Sequence, residues 1–274
     1  MNLNLSTLPT QLVAVLVLIL SACASQEDNS GYSNENAPME GFNAEASDAM
    51  AISIADQVML RLGGRANWDR TRYLSWSFFG DDQVWDKWTG RFRFQEDSII
   101  VLMNVETKQG RVWVNGAEVQ DSTEREPLLA SAHRNWANSS YWLLMPYKLK
   151  DSGVTLRYKG EGVMGDGQEA DILLLTFDAV GYTPENRYEV FVDKETKLVR
   201  QWTYFRTRED REAAFTTPWQ NWKQFGDIML SDDRGMRNDS TSFVLPNVGV
   251  FAELPDAVFE NPEPLDLSTL GGVQ

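Results

Sequence analysis

The sequence predicts a mainly β fold of α+β character: an unclosed antiparallel barrel, or strongly curved sheet, of about nine to eleven strands covered by an N-terminal and a mid-chain helix. Three observations predict it. Apolar residues recur with period two through most of the chain from Leu74 onward. A helical period is confined to two places. Neither an internal repeat nor a Pro/Gly-rich linker divides residues 48–260, so one domain carries both patterns. A curved sheet must bury one face, and the two helices are the covers available.

The first helix is marked by Ile52, Ala55, Met59 and Leu62, which fall on one stripe. Asp48 stands where an N-cap is needed, and Gly63-Gly64 supplies a left-handed exit. The period then changes. Leu74, Trp76 and Phe78 alternate with Ser75 and Ser77. Trp88, Phe92 and Phe94 share one side of the next segment, with Lys87, Arg91 and Arg93 on the other. Ile99, Val101, Met103 and Val105 continue the pattern, and Val112-Trp113-Val114 runs into Asn115-Gly116, a strong signal for a two-residue hairpin. Thr123-Glu124-Arg125-Glu126 reads as a capping box with Pro127 just inside, opening a helix of about three to four turns. Pro146 breaks the segment after that helix. Strands resume at 154–159, 171–178 and 187–192, turn at 193–196 and return through 197–206, with shorter ones at 219–225, 227–230 and 241–245.

Composition excludes several classes. The 274 residues hold 25 Lys and Arg against 40 Asp and Glu, a formal charge of −15, so the clustered cations that nucleic-acid phosphates require are lacking. With 10 Trp, 8 Tyr and 13 Phe the chain is far too aromatic to be disordered throughout. A single Cys forms no intramolecular disulfide, and a single His leaves little for transition-metal chemistry or a His-based triad. No metal or cofactor is expected, and binding is favoured over catalysis.

The N-terminal region is more specific. Residues 12–20 read LVAVLVLIL, nine apolar residues, and a spanning helix needs about 20. The run suits the core of a secretory signal, although the α-amino group alone supplies the usual positive charge. Leu20-Ser21-Ala22-Cys23 comes next and resembles the lipobox of bacterial lipoproteins, which implies cleavage before Cys23 and a diacylglyceryl group on its thiol. Two or more acyl chains, at about 0.8 kcal/mol per buried CH₂, anchor a protein stably. Ala24 stands where an Asp would favour retention in the inner membrane of a Gram-negative cell. The expected organisation is therefore a signal peptide over 1–22, a lipidated N-terminus and flexible tether over 23–47, a β domain over 48–262 and a C-terminal tail over 263–274. An outer-membrane lipid anchor with the domain facing the periplasm is the expected location.

Residues 135–160, NWANSSYWLLMPYKLKDSGVTLRYKG, and 180–205, VGYTPENRYEVFVDKETKLVRQWTYF, resemble an uncharacterised family of bacterial lipoproteins. The opening helix with Gly63-Gly64 and Trp68, and LPDAVFENP at 254–262, are also similar. That family is grouped structurally with the lipoprotein carrier LolA and receptor LolB. The resemblance implies an unclosed, curved antiparallel sheet whose helices close an apolar cavity, which in some members accommodates acyl chains. It transfers no individual functional residue.

Catalytic candidates read weakly. His133, beside Arg134 and without a Gly-flanked Ser nearby, reads as a surface or helix-face histidine. Asp81-Asp82, Asp86 and Asp232-Asp233 fall in expected turns, where acids are solvated. The Gly-rich stretch 160–167 lacks the spacing and Lys of a phosphate loop, and Asp166, Asp232 and Asp233 lack EF-hand spacing. The aromatic and Met positions are better candidates. Trp76, Phe78, Trp88, Phe92, Phe94, Met103, Trp142, Leu144 and Met145 are the expected lining of an apolar cavity. The expected function is a non-enzymatic envelope lipoprotein, held to the membrane through Cys23, that binds a lipid, acyl chain or other hydrophobic ligand. The net charge argues that such binding is mostly apolar and weakly salt-dependent. The alternatives are a structural or glycan-binding envelope lipoprotein without a cavity and, third, a carboxylate-based hydrolase.

Overall fold

The computed structural model describes residues 36–238 and 241–271. Cys23, the expected signal peptide and the first part of the expected tether lie outside the described residues.

Residues 36–47 are not a tether. Met39 N–H donates to Lys150 O at 3.0 Å, Asn43 N–H to Val154 O at 3.0 Å, and Phe42 is buried in the main core. The Asn43 amide also donates to Gly153 O, Thr155 Oγ1 and Asp178 Oδ2. The folded unit thus begins earlier than the polar composition implies, because one buried aromatic and a ladder of backbone bonds outweigh it.

Helix α1 (Ala49–Arg61) buries the expected stripe and also Ala51, Ile54 and Val58. Asp48 occupies the N-cap position without capping. Its carboxylate instead accepts from Tyr158 N–H and Arg157 Nη1, both at 2.9 Å, and these bonds hold it below the usual carboxylate range. Gly63 leaves the helix at φ +112°, where a Cβ would meet Asp227 O at 2.2 Å. The short helix α2 (Arg65–Arg70) comes next.

Six strands succeed it: β1 (Tyr73–Phe78), β2 (Asp81–Asp86), β3 (Arg91–Glu96), β4 (Ile99–Asn104), β5 (Gly110–Val114) and β6 (Ala117–Glu118). They form an antiparallel sheet in chain order, with β15 (Gly249–Phe251) added beside β1. The Asn115-Gly116 hairpin forms as expected, with both residues at positive φ. Helix α3 (Ser122–Leu144) then lies over the inward face of this sheet, where Trp76 Nε1–H donates to Ser139 Oγ. A second sheet has the order β11-β10-β9-β8-β7, from β7 (Val154–Val163), β8 (Glu169–Phe177), β9 (Arg187–Asp193), β10 (Val199–Phe205) and β11 (Phe215–Pro218). A third pairs β12 (Gln220–Phe225), β13 (Ile228–Asn238) and β14 (Thr241–Val244). It is stitched to its neighbours by Thr217 Oγ1 donating to Arg234 O and Ser77 N–H donating to Pro246 O. The architecture is mainly antiparallel β, unclosed and covered by helices. Fifteen strands occur among the described residues, more than expected, since β6, β11 and β15 are too short to show a period.

Several expectations need correction. Helix α3 runs for 23 residues, more than six turns, and its cap is Asp121, whose carboxylate accepts from Thr123 N–H at 2.7 Å. Pro127 therefore sits in the second turn. Asp81, Asp82 and Asp86 lie on β2, and Asp232 and Asp233 on β13, rather than in turns. Asp86 is buried because Arg72, Thr89 and Arg91 all donate to it, and Asp232 because Asn221 and Lys223 do. The C-terminal residues are no free tail. The short helix α4 (Ala257–Glu260), Leu267 and the partly buried Leu254, Leu265 and Leu270 pack on Tyr73, Val84 and Phe251, covering the outer face of β1. Buried Arg93 fastens this segment by donating to the carbonyls of Val258, Asn261 and Glu263. Among the described residues no helix is long and apolar enough to cross a membrane.

Candidate functional site

A cavity of about 510 Å³ opens between α3 and the second sheet. One wall is a helical stripe. Trp136, Ala137, Ser140, Tyr141 and Leu144 recur at spacings that place them on one side of α3. The opposite wall is Val154 of β7, Phe177 of β8 and Tyr188 of β9. The β8–β9 loop contributes Val180, Gly181, Tyr182 and Thr183, and Trp68 and Trp85 close another side. Seven of these residues are aromatic. Tyr141 packs against Phe177, Tyr188 and Trp202 at ring separations of 6.3, 5.6 and 5.9 Å, and Trp85 meets Trp136 edge-on at 5.4 Å.

Polar groups sit among these walls in two ways. Arg134 and Asn138 are exposed on α3, and Lys148 is ion-paired with Asp151. Within the wall, Trp85 Nε1, Trp136 Nε1 and the Tyr141 hydroxyl are buried without an acceptor among the described residues, as Trp202 Nε1 and Trp219 Nε1 are deeper in the core. Burial pushes the Tyr141 and Tyr188 hydroxyls up, so both stay neutral at any physiological pH.

Two polar devices position the walls. Ser139, on the side of α3 away from the cavity, accepts from Trp76 Nε1–H at 3.0 Å and donates to Gln83 Oε1 at 2.9 Å. Gln83 Nε2 donates in turn to Asp81 Oδ1 at 2.7 Å. This buried chain fixes the rotation of α3 against β1 and β2, and so which stripe faces the cavity. Burial pushes the Asp81 carboxyl up to about 6, against the hydrogen bond from Gln83 and with help from the charges of Glu96 and Asp82. Asp81 does not border the cavity. The second device is His133, which is buried rather than at the surface. Nε2 lies 3.0 Å from Val105 O, so this nitrogen carries the proton, and bare Nδ1 accepts from the Tyr182 hydroxyl at 2.6 Å. The β8–β9 loop is thereby latched to α3.

Among the residues expected to line a cavity, Leu144 borders this one. Trp76, Phe78, Phe92, Phe94, Met103 and Met145 are buried in the main core. Trp142 is half-buried in a neighbouring aromatic cluster with Phe78, Trp202, Phe215 and Phe243. Trp88 is 57% exposed in the β2–β3 turn, where its Nε1–H donates to Asp69 O at 2.9 Å. Strand alternation marks the inward face correctly, but α3 fills that face. The cavity lies on the other side of the helix. Trp136 and Tyr141, five residues apart, were the available signal. Among the described residues, no three His, Cys, Asp or Glu side chains gather as a metal site would require.

No protein-family model and no curated protein matches the sequence. Solved structures do. A DUF1329 family protein from Desulfovibrio piger shares 16% identity over 77% of this chain and 97% of its own, with a TM-score of 0.41. A domain from Vibrio parahaemolyticus, named for outer-membrane lipoprotein sorting, shares 12% identity with the same coverages and a TM-score of 0.41. MucB shares 13% over 70% of this chain and 69% of its own, with a TM-score of 0.24. At these scores the likeness carries nothing about function.

Proposed function

We propose that this chain is a non-enzymatic envelope lipoprotein, anchored through Cys23 to the outer membrane and facing the periplasm, that holds a hydrophobic ligand between α3 and the second sheet. The single observation that carries the reading is the aromatic-walled cavity of about 510 Å³, inside the range of about 300–1,000 Å³ common to small-molecule sites. Removing apolar ligand surface from water stabilises a complex by about 25 cal/mol per Å², and such walls demand few directional contacts. The hydrolase alternative has little to work with here, since the carboxylate in the described lining, Asp151, is ion-paired with Lys148.

The test is native mass spectrometry of the Cys23→Ser chain, exported to the periplasm and purified without detergent. Added mass that organic solvent releases as fatty acid, phospholipid or acyl peptide supports the reading. A bare mass that stays bare after incubation with lipids and detergents shifts the case to a structural or glycan-binding protein.

A further inference from the structure

The cavity rim departs from the charge of the molecule as a whole. In a chain with a formal charge of −15, the charged groups of the lining are two cations, Arg134 and Lys148, and one acid, Asp151. Lys148 and Asp151 neutralise each other at i and i+3. Arg134 is left over. It is exposed, and among the described residues its guanidinium forms no ion pair or hydrogen bond. Asn138 stands one helical turn further along the same side of α3, about 6 Å away by helix geometry, and is likewise exposed. Two donors, one cationic, therefore flank the entrance to walls that are otherwise aromatic and aliphatic.

We propose that the ligand is a single-chain anionic amphiphile of the fatty-acid class, with its hydrocarbon chain in the cavity and its carboxylate on Arg134 and Asn138 at the rim. The inference rests on the cavity being a ligand site and names the chemistry of what enters it. The planar guanidinium matches a carboxylate in a way that a point charge does not. The reverse orientation fails on energy, because a carboxylate among Trp85, Trp136 and Tyr141 would lose its hydration with no cation to replace it. Size agrees, since about 510 Å³ lies in the lower half of the usual range and suits one chain. The local surplus of positive charge also explains how an acidic protein admits an anion. Most of the affinity remains apolar, and the rim adds an increment that salt screens.

The experiment compares palmitate with hexadecanol, of equal chain length but uncharged, both at submicellar concentration. Titrations follow intrinsic tryptophan fluorescence in the full Cys23→Ser chain, with and without Arg134→Gln. Palmitate is expected to bind more tightly than hexadecanol, and Arg134→Gln to weaken palmitate roughly three- to tenfold while leaving hexadecanol unchanged. Asn138→Ala is expected to act in the same direction and more weakly. Equal binding of acid and alcohol, or an equal loss of both in Arg134→Gln, would overturn the anionic head while leaving the cavity reading intact. Failure of both probes to bind would overturn the cavity reading and the inference together. Unchanged far-UV circular dichroism, expected on replacing an exposed side chain, separates loss of binding from loss of fold.

Discussion

At the scale of single residues, the molecule places charge where the strand code alone would not allow it. Asp86 is fully buried, yet bonds from Arg72, Thr89 and Arg91 outweigh the burial that would raise it, and its carboxyl is held at about 2. Its contribution to stability is present above the ordinary carboxylate value of 3.8 and is lost only as pH falls through about 2. Asp81 runs the other way. Its folded value of about 6 exceeds 3.8, so the folded state takes up a proton that the unfolded state does not, and stability from this group rises as pH falls from about 7 toward 4. At neutral pH the ionised carboxyl is a cost. Asp81→Asn keeps the oxygen that accepts from Gln83 and removes the charge. It is expected to raise Tm by a few degrees at pH 7.5 and to bring no gain at pH 4.5. Equal melting of the two proteins at pH 7.5 would show that Asp81 is solvated after all.

The elements show why the site lies where it does. Helix α3 is a two-sided wall. One side gives Leu129, Ala132, Ser139 and Leu143 to the core, and the other gives Trp136, Tyr141 and Leu144 to the cavity. A helix of three to four turns would end before the second set was complete. The loop between β8 and β9 is the remaining wall, and the Tyr182–His133 bond ties it down. Burial, with the charge of Lys108, lowers the His133 value, so the latch stays neutral and intact through physiological pH and weakens in acid below 6.5. Tyr182→Phe deletes the bond and keeps the ring, a loss of about 1 kcal/mol. Amide exchange across residues 179–183 is expected to quicken several-fold, with global Tm almost unmoved. Exchange identical to wild type would mean that packing alone holds the loop.

For the molecule as a whole, the described residues form one folded unit that is more inclusive than its composition indicates. Phe42 inserts from a stretch rich in Asn, Gly and Glu, and Phe42→Ala is expected to cost about 3 kcal/mol in urea unfolding. A change below about 0.5 kcal/mol, the scale of an ordinary surface substitution, would return residues 36–47 to the role of a tether. The cavity is a property of the assembled unit, since α2, α3, both larger sheets and the α3–β7 and β8–β9 connections all contribute to it. Ala137→Trp, which turns a small wall residue into a large one, is expected to abolish binding of a fluorescent fatty acid while the fold persists. Retained affinity would place the ligand elsewhere.

Short-range rules account for the part of this protein that was legible along the chain. The antiparallel class, the stripe of α1, the Asn115-Gly116 hairpin and the inward positions Leu74, Trp76, Phe92, Phe94 and Met103 could be read because period, turn chemistry and apolar patterning act over a few residues. The resemblance of Leu20-Ser21-Ala22-Cys23 to a lipobox is likewise a local reading, on residues outside the described ones. Tertiary contacts decided the rest. Whether an inward aromatic becomes core or cavity lining depends on what covers it, and α3 covers Trp76 while leaving Tyr141 facing open space. The pairing of Asp86 with Arg72 spans 14 residues, and the docking of the Phe42 segment and the sealing of β1 by the C-terminal segment depend on partners more than 100 residues away. No window along the chain reports such partners, because the free energy that holds these groups in place arises only when the distant surfaces meet.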